Sequence, residues 1–142
     1  MLKVTGLDEQ LSNWFEQVKQ MVPTTAERAE MTAAGAEVLK NNLINETRQK
    51  HYRNTKHRKT KHLADSIAVE NKDFDGTADG NSVVGFEKKN ISGVNHARIA
   101  RFLNDGTKKM VGDHFYTDTV KDSEKAVFLA EKAVYEKQKH NL

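Results

Sequence analysis

A dense basic segment at residues 48–62 carries the side chains of this sequence that could most directly do chemistry. The segment, RQKHYRNTKHRKTKH, contains seven Lys or Arg residues, three His residues and no acidic residue. Removing those seven from the 23 Lys and Arg of the chain leaves 16 against 20 Asp and Glu, so the remainder is mildly acidic. Clustered fixed positive charges can neutralise phosphates and give salt-sensitive, sequence-independent binding to nucleic acid.

The same segment has two other interpretations, and the residue types alone leave all three open. Like charges repel one another, so the pattern also predicts a solvated loop that is either disordered or ordered against another protein. Tyr52 is its only aromatic residue, which gives little support for base stacking. The candidate contacts to protein or DNA are its seven basic residues and a lysine pair further along the chain: Arg48, Lys50, Arg53, Lys56, Arg58, Lys59, Lys61, Lys108 and Lys109.

The other reactive residue types form no catalytic or metal-binding pattern. The absence of cysteine excludes a thiolate zinc site and a cysteine nucleophile, and the six histidines lack the spacing of a helical zinc protease. Asp75, Thr77, Asp79 and Gly80 imitate the start of a calcium-binding loop, but Phe86 stands where that loop needs a glutamate, so a turn is favoured. No phosphate-cradling glycine motif or nucleophile elbow occurs. We therefore expect no enzymatic activity, no cofactor and no metal.

Length and composition predict one domain over residues 1–142, with a flexible basic loop at about 48–62. A chain of 142 residues is long enough to bury a core, and 37% hydrophobic and 30% charged residues are typical of a soluble protein. No apolar run approaches the roughly 20 residues that span a bilayer, so we expect no membrane partner.

Hydrophobic periodicity predicts two helices before the basic segment. Apolar residues recur at three- and four-residue steps from Leu7 to Val22, which predicts an amphipathic helix that ends at Pro23. Thr24 and Glu27 form the pattern of a capping box, which opens an alanine-rich helix running to about Arg48.

The second half of the chain mixes short strands with helices. Residues 66–69 and 82–86 are predicted to form a hairpin with a long loop. A short helix over residues 97–103 is expected to stop at Asp105-Gly106, residues 115–117 are a candidate third strand, and a last helix should run from 119 to about 139. This order predicts an α+β fold, in which a small antiparallel sheet packs against a long helix and a C-terminal helix.

Several segments together resemble the small neck proteins of long-tailed bacteriophages, which complete the tail or join it to the head. His62 to Ile67 is similar to that family's "Gly/His-Leu-x-x-Ser-Ile" entry into the first strand, and residues 96–107 are similar to its "Tyr-Ala-x-x-x-Glu-x-Gly-Thr" element. The other matching features are Val4-Thr5-Gly6 before the first helix, the alanine-rich helix from Ala26 to Ile44, Val83-Val84-Gly85, and His114-Phe115 before the last helix.

The resemblance implies a non-enzymatic structural protein of the virion neck or tail, assembled in the host cytoplasm. It implies that the chain is a monomer or weak oligomer alone and forms a ring in the particle, which we expect to be a hexamer. The implied partners are neighbouring neck, tail-terminator or tail-tube proteins, with DNA passing through the ring. The alternative is a small basic nucleic-acid-binding protein acting through residues 48–62, and a third possibility is a toxin-like ribonuclease that uses a histidine of that segment.

Overall fold

The computed structural model describes residues 4–52, 62–73, 75–88 and 94–139. Four helices and two short two-stranded sheets follow one another along these residues. The elements are α1 (Val4–Met21), α2 (Thr25–His51), a 3-10 turn (Leu63–Ser66), β1 (Ile67–Glu70), β2 (Val83–Phe86), α3 (His96–Asp105), β3 (Gly106–Thr107), β4 (Met110–Val111) and α4 (Phe115–Gln138).

The boundary between the first two helices is where the sequence predicts it. Helix α1 ends at Met21, two residues before Pro23. The capping box that opens α2 is confirmed: the Glu27 N–H donates to Thr24 Oγ1 at 3.2 Å, and the Thr24 N–H donates to Glu27 Oε1 at 3.3 Å. Helix α2 continues to His51, three residues beyond the expected end, so Arg48 lies within the helix.

Helices α2 and α4 form an antiparallel pair. At one end, Gln138 Nε2 donates to the Glu27 carbonyl oxygen at 3.0 Å. Near the other end, Asn42 Nδ2 donates to Ser123 Oγ at 2.9 Å, beside the fully buried Leu43. Between them Gly35 lies so close to α4 that an added β-carbon would be 2.9 Å from a methyl carbon of Val127. Small residues in α2 therefore set the helix separation.

The first sheet packs against α2. Strands β1 and β2 are antiparallel, with Ile67 opposite Phe86 and Glu70 opposite Val83. Their connecting loop is held to α2 by Thr32 Oγ1, which donates to the Gly80 carbonyl oxygen at 2.7 Å. The expected fold class, a small antiparallel sheet with a long helix and a C-terminal helix, is confirmed.

Helix α4 begins earlier than predicted, and the third strand expected at residues 115–117 is wrong. These residues form the first turn of α4, because side chains from outside the helix satisfy its first N–H groups. Asn104 Oδ1 accepts from the N–H groups of Tyr116 (3.0 Å) and Thr117 (3.1 Å), and Asp113 Oδ1 accepts from that of Phe115 (3.1 Å). The helix thus takes its cap from α3, a contact that local sequence patterns do not reveal.

A second, very short hairpin was not predicted at all. Between α3 and α4 the chain leaves through β3 and returns through β4, and the Asp113 N–H donates to the Leu103 carbonyl oxygen at 3.0 Å. Helix α3 ends at Asp105, as predicted, and Gly106 has a φ of 88°, a conformation that favours glycine. A β-carbon on Gly106 would be 2.6 Å from the Gly112 nitrogen, and a β-carbon on Gly112 would be 2.6 Å from the Gly106 nitrogen. Both ends of the hairpin therefore need glycine.

Phe115 is the centre of the described core. It is fully buried and packs with Leu63 and Ala100. The rings of Phe86 on β2 and His51 on α2 meet it edge-on at centroid distances of 6.1 Å and 4.8 Å. Phe115 is therefore buried where the C-terminal helix meets the sheet.

Because α2 and α4 are in close contact at Gly35, a larger side chain at this position should destabilise the protein. We expect Gly35→Val to lower the free energy of unfolding by about 1–3 kcal/mol, because the new methyl groups must displace Val127 and Glu131. Urea denaturation measures the change. Glu37→Val, at an exposed position of the same helix, is the matched control. Equal stability of the two variants would contradict the proposed close approach.

The cap that Asn104 of α3 provides for α4, called the remote cap below, should contribute to the free energy of unfolding. Asn104→Ala should cost about 1–3 kcal/mol, because two N–H groups of α4 lose their acceptor in a part-buried site. Phe115→Ala should cost about 3–5 kcal/mol by opening a cavity. The control is Asn41→Ala on the exposed face of α2, which we expect to stay within about 0.5 kcal/mol. Thermal and urea unfolding test all three, and a neutral Asn104→Ala variant would show that the cap is dispensable.

Candidate assembly surfaces

The β3–β4 hairpin presents the predicted lysine pair at its turn. Lys108 and Lys109 connect the two strands and are exposed, and the Lys109 N–H donates to Thr107 Oγ1 at 3.3 Å. On the returning strand Val111 is 93% exposed and Met110 is 39% exposed. A cationic tip with apolar residues beside it, on a hairpin closed at its base, is suited to contact another macromolecule.

The basic end of α2 is largely compensated by acidic groups of the same chain. An oxygen of Asp65 lies 3.5 Å from an Arg48 guanidinium nitrogen, and Lys50 Nζ lies 2.8 Å from a Glu46 oxygen. The hydrogen bond to Glu46 raises the pKa of the Lys50 ammonium. Both cations also lie in the last turn of α2, where the helix dipole favours positive charge. Each of the two cations therefore has a carboxylate neighbour that offsets part of its charge.

The end of α2 and the base of the hairpin are joined directly. His51 Nε2 and Asp113 Oδ2 are 2.7 Å apart, and Asp113 follows the hairpin. Arg48 and Lys50 thus belong to the same end of the molecule as Lys108 and Lys109. The remaining predicted contact residues lie outside the described residues: Arg53, Lys56, Arg58, Lys59 and Lys61.

A polar groove of about 370 Å³ lies between α2 and α4. Its walls include the carboxylates of Glu46, Asp118 and Asp122, together with Lys50. Ser123 is the only serine among its lining residues; it accepts a hydrogen bond from Asn42, and no histidine lines the groove.

An apolar groove of about 410 Å³ lies between β2, α3 and α4. The Tyr116 hydroxyl donates to the Val84 carbonyl oxygen at 3.4 Å along one wall, and burial raises the pKa of that phenol. Arg101 and Asp105 lie at the rim. Sequence reasoning missed this groove because its lining comes from three elements that are distant in the sequence.

The apolar side of α1 is a further surface that the sequence did not reveal as exposed. The periodicity predicts the helix correctly, yet every residue from 6 to 22 is exposed, with Trp14 at 56% and Leu11 at 47%. The rings of Trp14 and Phe15 lie 5.3 Å apart. We define the α1 face by its six apolar residues: Leu7, Leu11, Trp14, Phe15, Val18 and Met21.

The acidic loop between β1 and β2 is a pair of turns, as predicted. Asp75 Oδ1 accepts from the Thr77 N–H and Asp79 Oδ1 accepts from the Asn81 N–H, each at 3.1 Å. Gly80 has a φ of 91°. Within the described residues, no group of three histidines or carboxylates is placed to hold a metal ion. In the same part of the chain, no helix is both long and apolar enough to cross a membrane.

Comparison with known proteins identifies the family. A family model described as "Bacteriophage HK97-gp10, putative tail-component" matches residues 9–106, about two thirds of the chain. No curated protein and no solved structure matches. The matched region runs from α1 to Gly106 and includes the remote cap at Asn104, the sheet and the long helix α2. The chain therefore belongs to the HK97 gp10-like family of bacteriophage tail components.

Proposed function

We propose that this tail component is a non-enzymatic structural protein of the phage neck, forming a ring that completes the tail or joins it to the head. The observation that carries the proposal is the β3–β4 hairpin. Its base is closed by the Gly106–Gly112 contact and by the backbone bond from Asp113 to Leu103, while its tip exposes two lysines and Val111. A firmly held, exposed tip favours assembly over catalysis.

In a ring, each subunit contacts its two neighbours through two different surfaces. Such head-to-tail contacts form a closed ring when the rotation that relates one subunit to the next divides a full turn evenly. The proposed partners are other copies in a ring of six, and the neighbouring neck, tail-terminator or tail-tube proteins. DNA passes through this ring in the virion, and the ring assembles in the host cytoplasm.

The proposal that the protein is non-enzymatic rests on its membership of a family of tail components. In the polar groove, Asn42 Nδ2 of α2 donates to Ser123 Oγ of α4 at 2.9 Å, and Lys50 Nζ lies 2.8 Å from a Glu46 oxygen. These two contacts give structural roles to four of the residues that line the groove.

The isolated protein should bind duplex DNA weakly. Arg48 and Lys50 already face carboxylates, and the remainder of the chain is mildly acidic. We expect binding to fall steeply between about 50 mM and 200 mM salt, measured by fluorescence anisotropy. Arg48→Ala should change it little, because Asp65 compensates that charge. Tight, sequence-selective binding would favour the alternative function in nucleic-acid binding through residues 48–62.

The hairpin lysines should matter in the particle and not in the fold. We expect the double variant Lys108→Ala, Lys109→Ala to melt normally, because exposed lysines contribute little to stability. In phage supplied only with this variant, we expect fewer joined heads and tails by electron microscopy and a lower infectious titre.

A control variant that removes the same number of positive charges elsewhere distinguishes a specific role of the hairpin from an effect of net charge. Lys72→Ala combined with Lys88→Ala removes two exposed lysines from either side of the β1–β2 sheet. This control should keep a normal titre. A normal titre for the hairpin variant, or a melting temperature lowered as much as by Phe115→Ala, would remove the hairpin from the proposed contact surface.

A further inference from the structure

Strand β2 has one edge that pairs with β1 and one edge that is free of a partner strand. The Glu87 N–H donates to the Ser66 carbonyl oxygen at 2.9 Å, so these two residues form a hydrogen-bonded pair that continues the β1–β2 ladder. Hydrogen-bonded and non-hydrogen-bonded pairs alternate along antiparallel strands. Gly85 therefore bonds to β1, whereas Val84 and Phe86 direct their N–H and C=O groups away from β1.

The contacts on this free edge agree with the alternation. The Tyr116 hydroxyl, on the groove side, donates to the Val84 carbonyl oxygen at 3.4 Å. A carbonyl oxygen has two lone pairs, so this long bond leaves room for a second donor. Among the described residues, the N–H groups of Val84 and Phe86 have no acceptor. A row of unpaired backbone groups is a template on which another strand can pair.

The groove beside this edge is suited to an extended apolar segment. All four residues of β2 line the groove and are apolar, α3 forms the opposite wall, and the volume is about 410 Å³. A β-carbon added to Gly85 would meet no atom within 4 Å, so the strand is open there. Arg101 and Asp105 at the rim pair with each other at 3.6 Å. Extended peptides commonly bind by adding a strand to a sheet edge, where backbone hydrogen bonds supply affinity.

The β3–β4 hairpin carries a strand of this kind. Val111 on β4 is more exposed than any other large apolar side chain of the described residues, and Met110 precedes it. In that part of the chain β3 and β4 pair only with each other, so β4 also has an edge without a partner strand. The hairpin is already extended and is closed at its base by Gly106 and Gly112, so docking it orders little new backbone.

We propose that β4 of one copy docks as a third strand on the free edge of β2 of a second copy, with Val111 in the apolar groove. Within one chain the two sheets are separate, which leaves both edges available to another copy. The hairpin and the groove are different surfaces, so the contact is of the head-to-tail kind that a ring needs. The inference rests on the proposed function, in which the hairpin is a contact, and it names the surface that receives the hairpin.

The absence of cysteine from the sequence allows a direct test by disulfide trapping between unlike chains. One chain carries Val111→Cys and a tag that changes its mass, and the other carries Val83→Cys, Val84→Cys or Gly85→Cys in turn. The mixture is oxidised both as concentrated protein and in phage particles assembled from the two chains. We expect at least one of the three positions to give a linked product of the unlike chains on a non-reducing gel.

The control for trapping replaces the β2 cysteine by Glu37→Cys, at an exposed position of α2, and should give no linked product of unlike chains. Two results would overturn the proposal: the control links as well as the β2 positions do, or the only linked species join two copies of the Val111→Cys chain. Either would show that the hairpin does not lie on β2.

Amide exchange along β2, followed residue by residue by NMR, supplies an independent readout. In dilute protein the N–H groups of Val84 and Phe86 should exchange faster than that of Gly85, which bonds to β1. As the mass from light scattering rises with concentration, exchange at Val84, Phe86 or both should slow about ten-fold or more. Association that leaves both N–H groups unprotected would show that the copies meet through other surfaces.

Val111→Asp tests the apolar part of the contact. Because the side chain is exposed, this variant should melt normally, and the concentration at half-association should rise about ten-fold or more. Leu129→Asp makes the same change at another exposed apolar residue, on α4, and should leave association unchanged. Undiminished association of the Val111→Asp variant would contradict the docking.

The outcomes separate this inference from the proposed function. If the chain is present in particles but unlike chains are linked neither there nor in concentrated protein, the docking is wrong and the neck role stands. If the chain is absent from particles, the neck role fails, and the linked product from concentrated protein alone decides the docking.

Discussion

The close antiparallel contact between α2 and α4 is the constraint on which the rest of the structure depends. It is possible because α2 is rich in alanine and places Gly35 against Val127, so that the two backbones approach without large side chains between them. The helix pair provides a surface for the β1–β2 sheet on one side. Further contacts hold the two helices together at each end of the pair. Salt-bridge and amide contacts from Lys139 and Gln138 to Glu27 hold one end, and the His51–Asp113 pair holds the other.

The second of these ends is where fold and candidate function meet. Asn104 and Asp113 satisfy the first N–H groups of α4, Phe115 fills the space beneath them, and the β3–β4 hairpin emerges between the two capping residues. The hairpin is short, and both of its ends are backbone contacts that admit only glycine. Its lysines are therefore presented from a base that shares hydrogen bonds with three helices.

Much of the fold could be predicted because its signals are local. The capping box at Thr24, the stop at Pro23, the glycine turn at Gly106 and the two strands each depend on neighbouring residues. The start of α4 could not be predicted, since its cap comes from Asn104, eleven residues before Phe115, and His114 at the helix entry adopts a left-handed conformation. The β3–β4 hairpin has only two residues per strand, too few for an alternating pattern.

The candidate site was predictable in composition and not in geometry. Lys108 and Lys109 are candidate contacts from the sequence, and both are exposed at the turn of the hairpin. Their role in assembly stays a prediction. The positive charge of Arg48 and Lys50 is evident from the sequence, but their carboxylate partners are not. Asp65, just before β1, lies beside Arg48, and Glu46, one turn earlier in α2, lies beside Lys50, so part of the positive charge is neutralised. The exposure of the α1 face was hidden for the opposite reason, because periodicity reports an apolar side without reporting what covers it.

The isolation of α1 has a consequence for how this chain unfolds and varies. A helix whose side chains make almost no part of the core opens at a cost unrelated to global unfolding, so it is a cooperative unit of its own. Loss of α1 order would leave the α2–α4 pair, the sheet and the hairpin intact. Substitutions on the α1 face should therefore have little effect on the stability of the described core, and are constrained by what the helix meets outside that core.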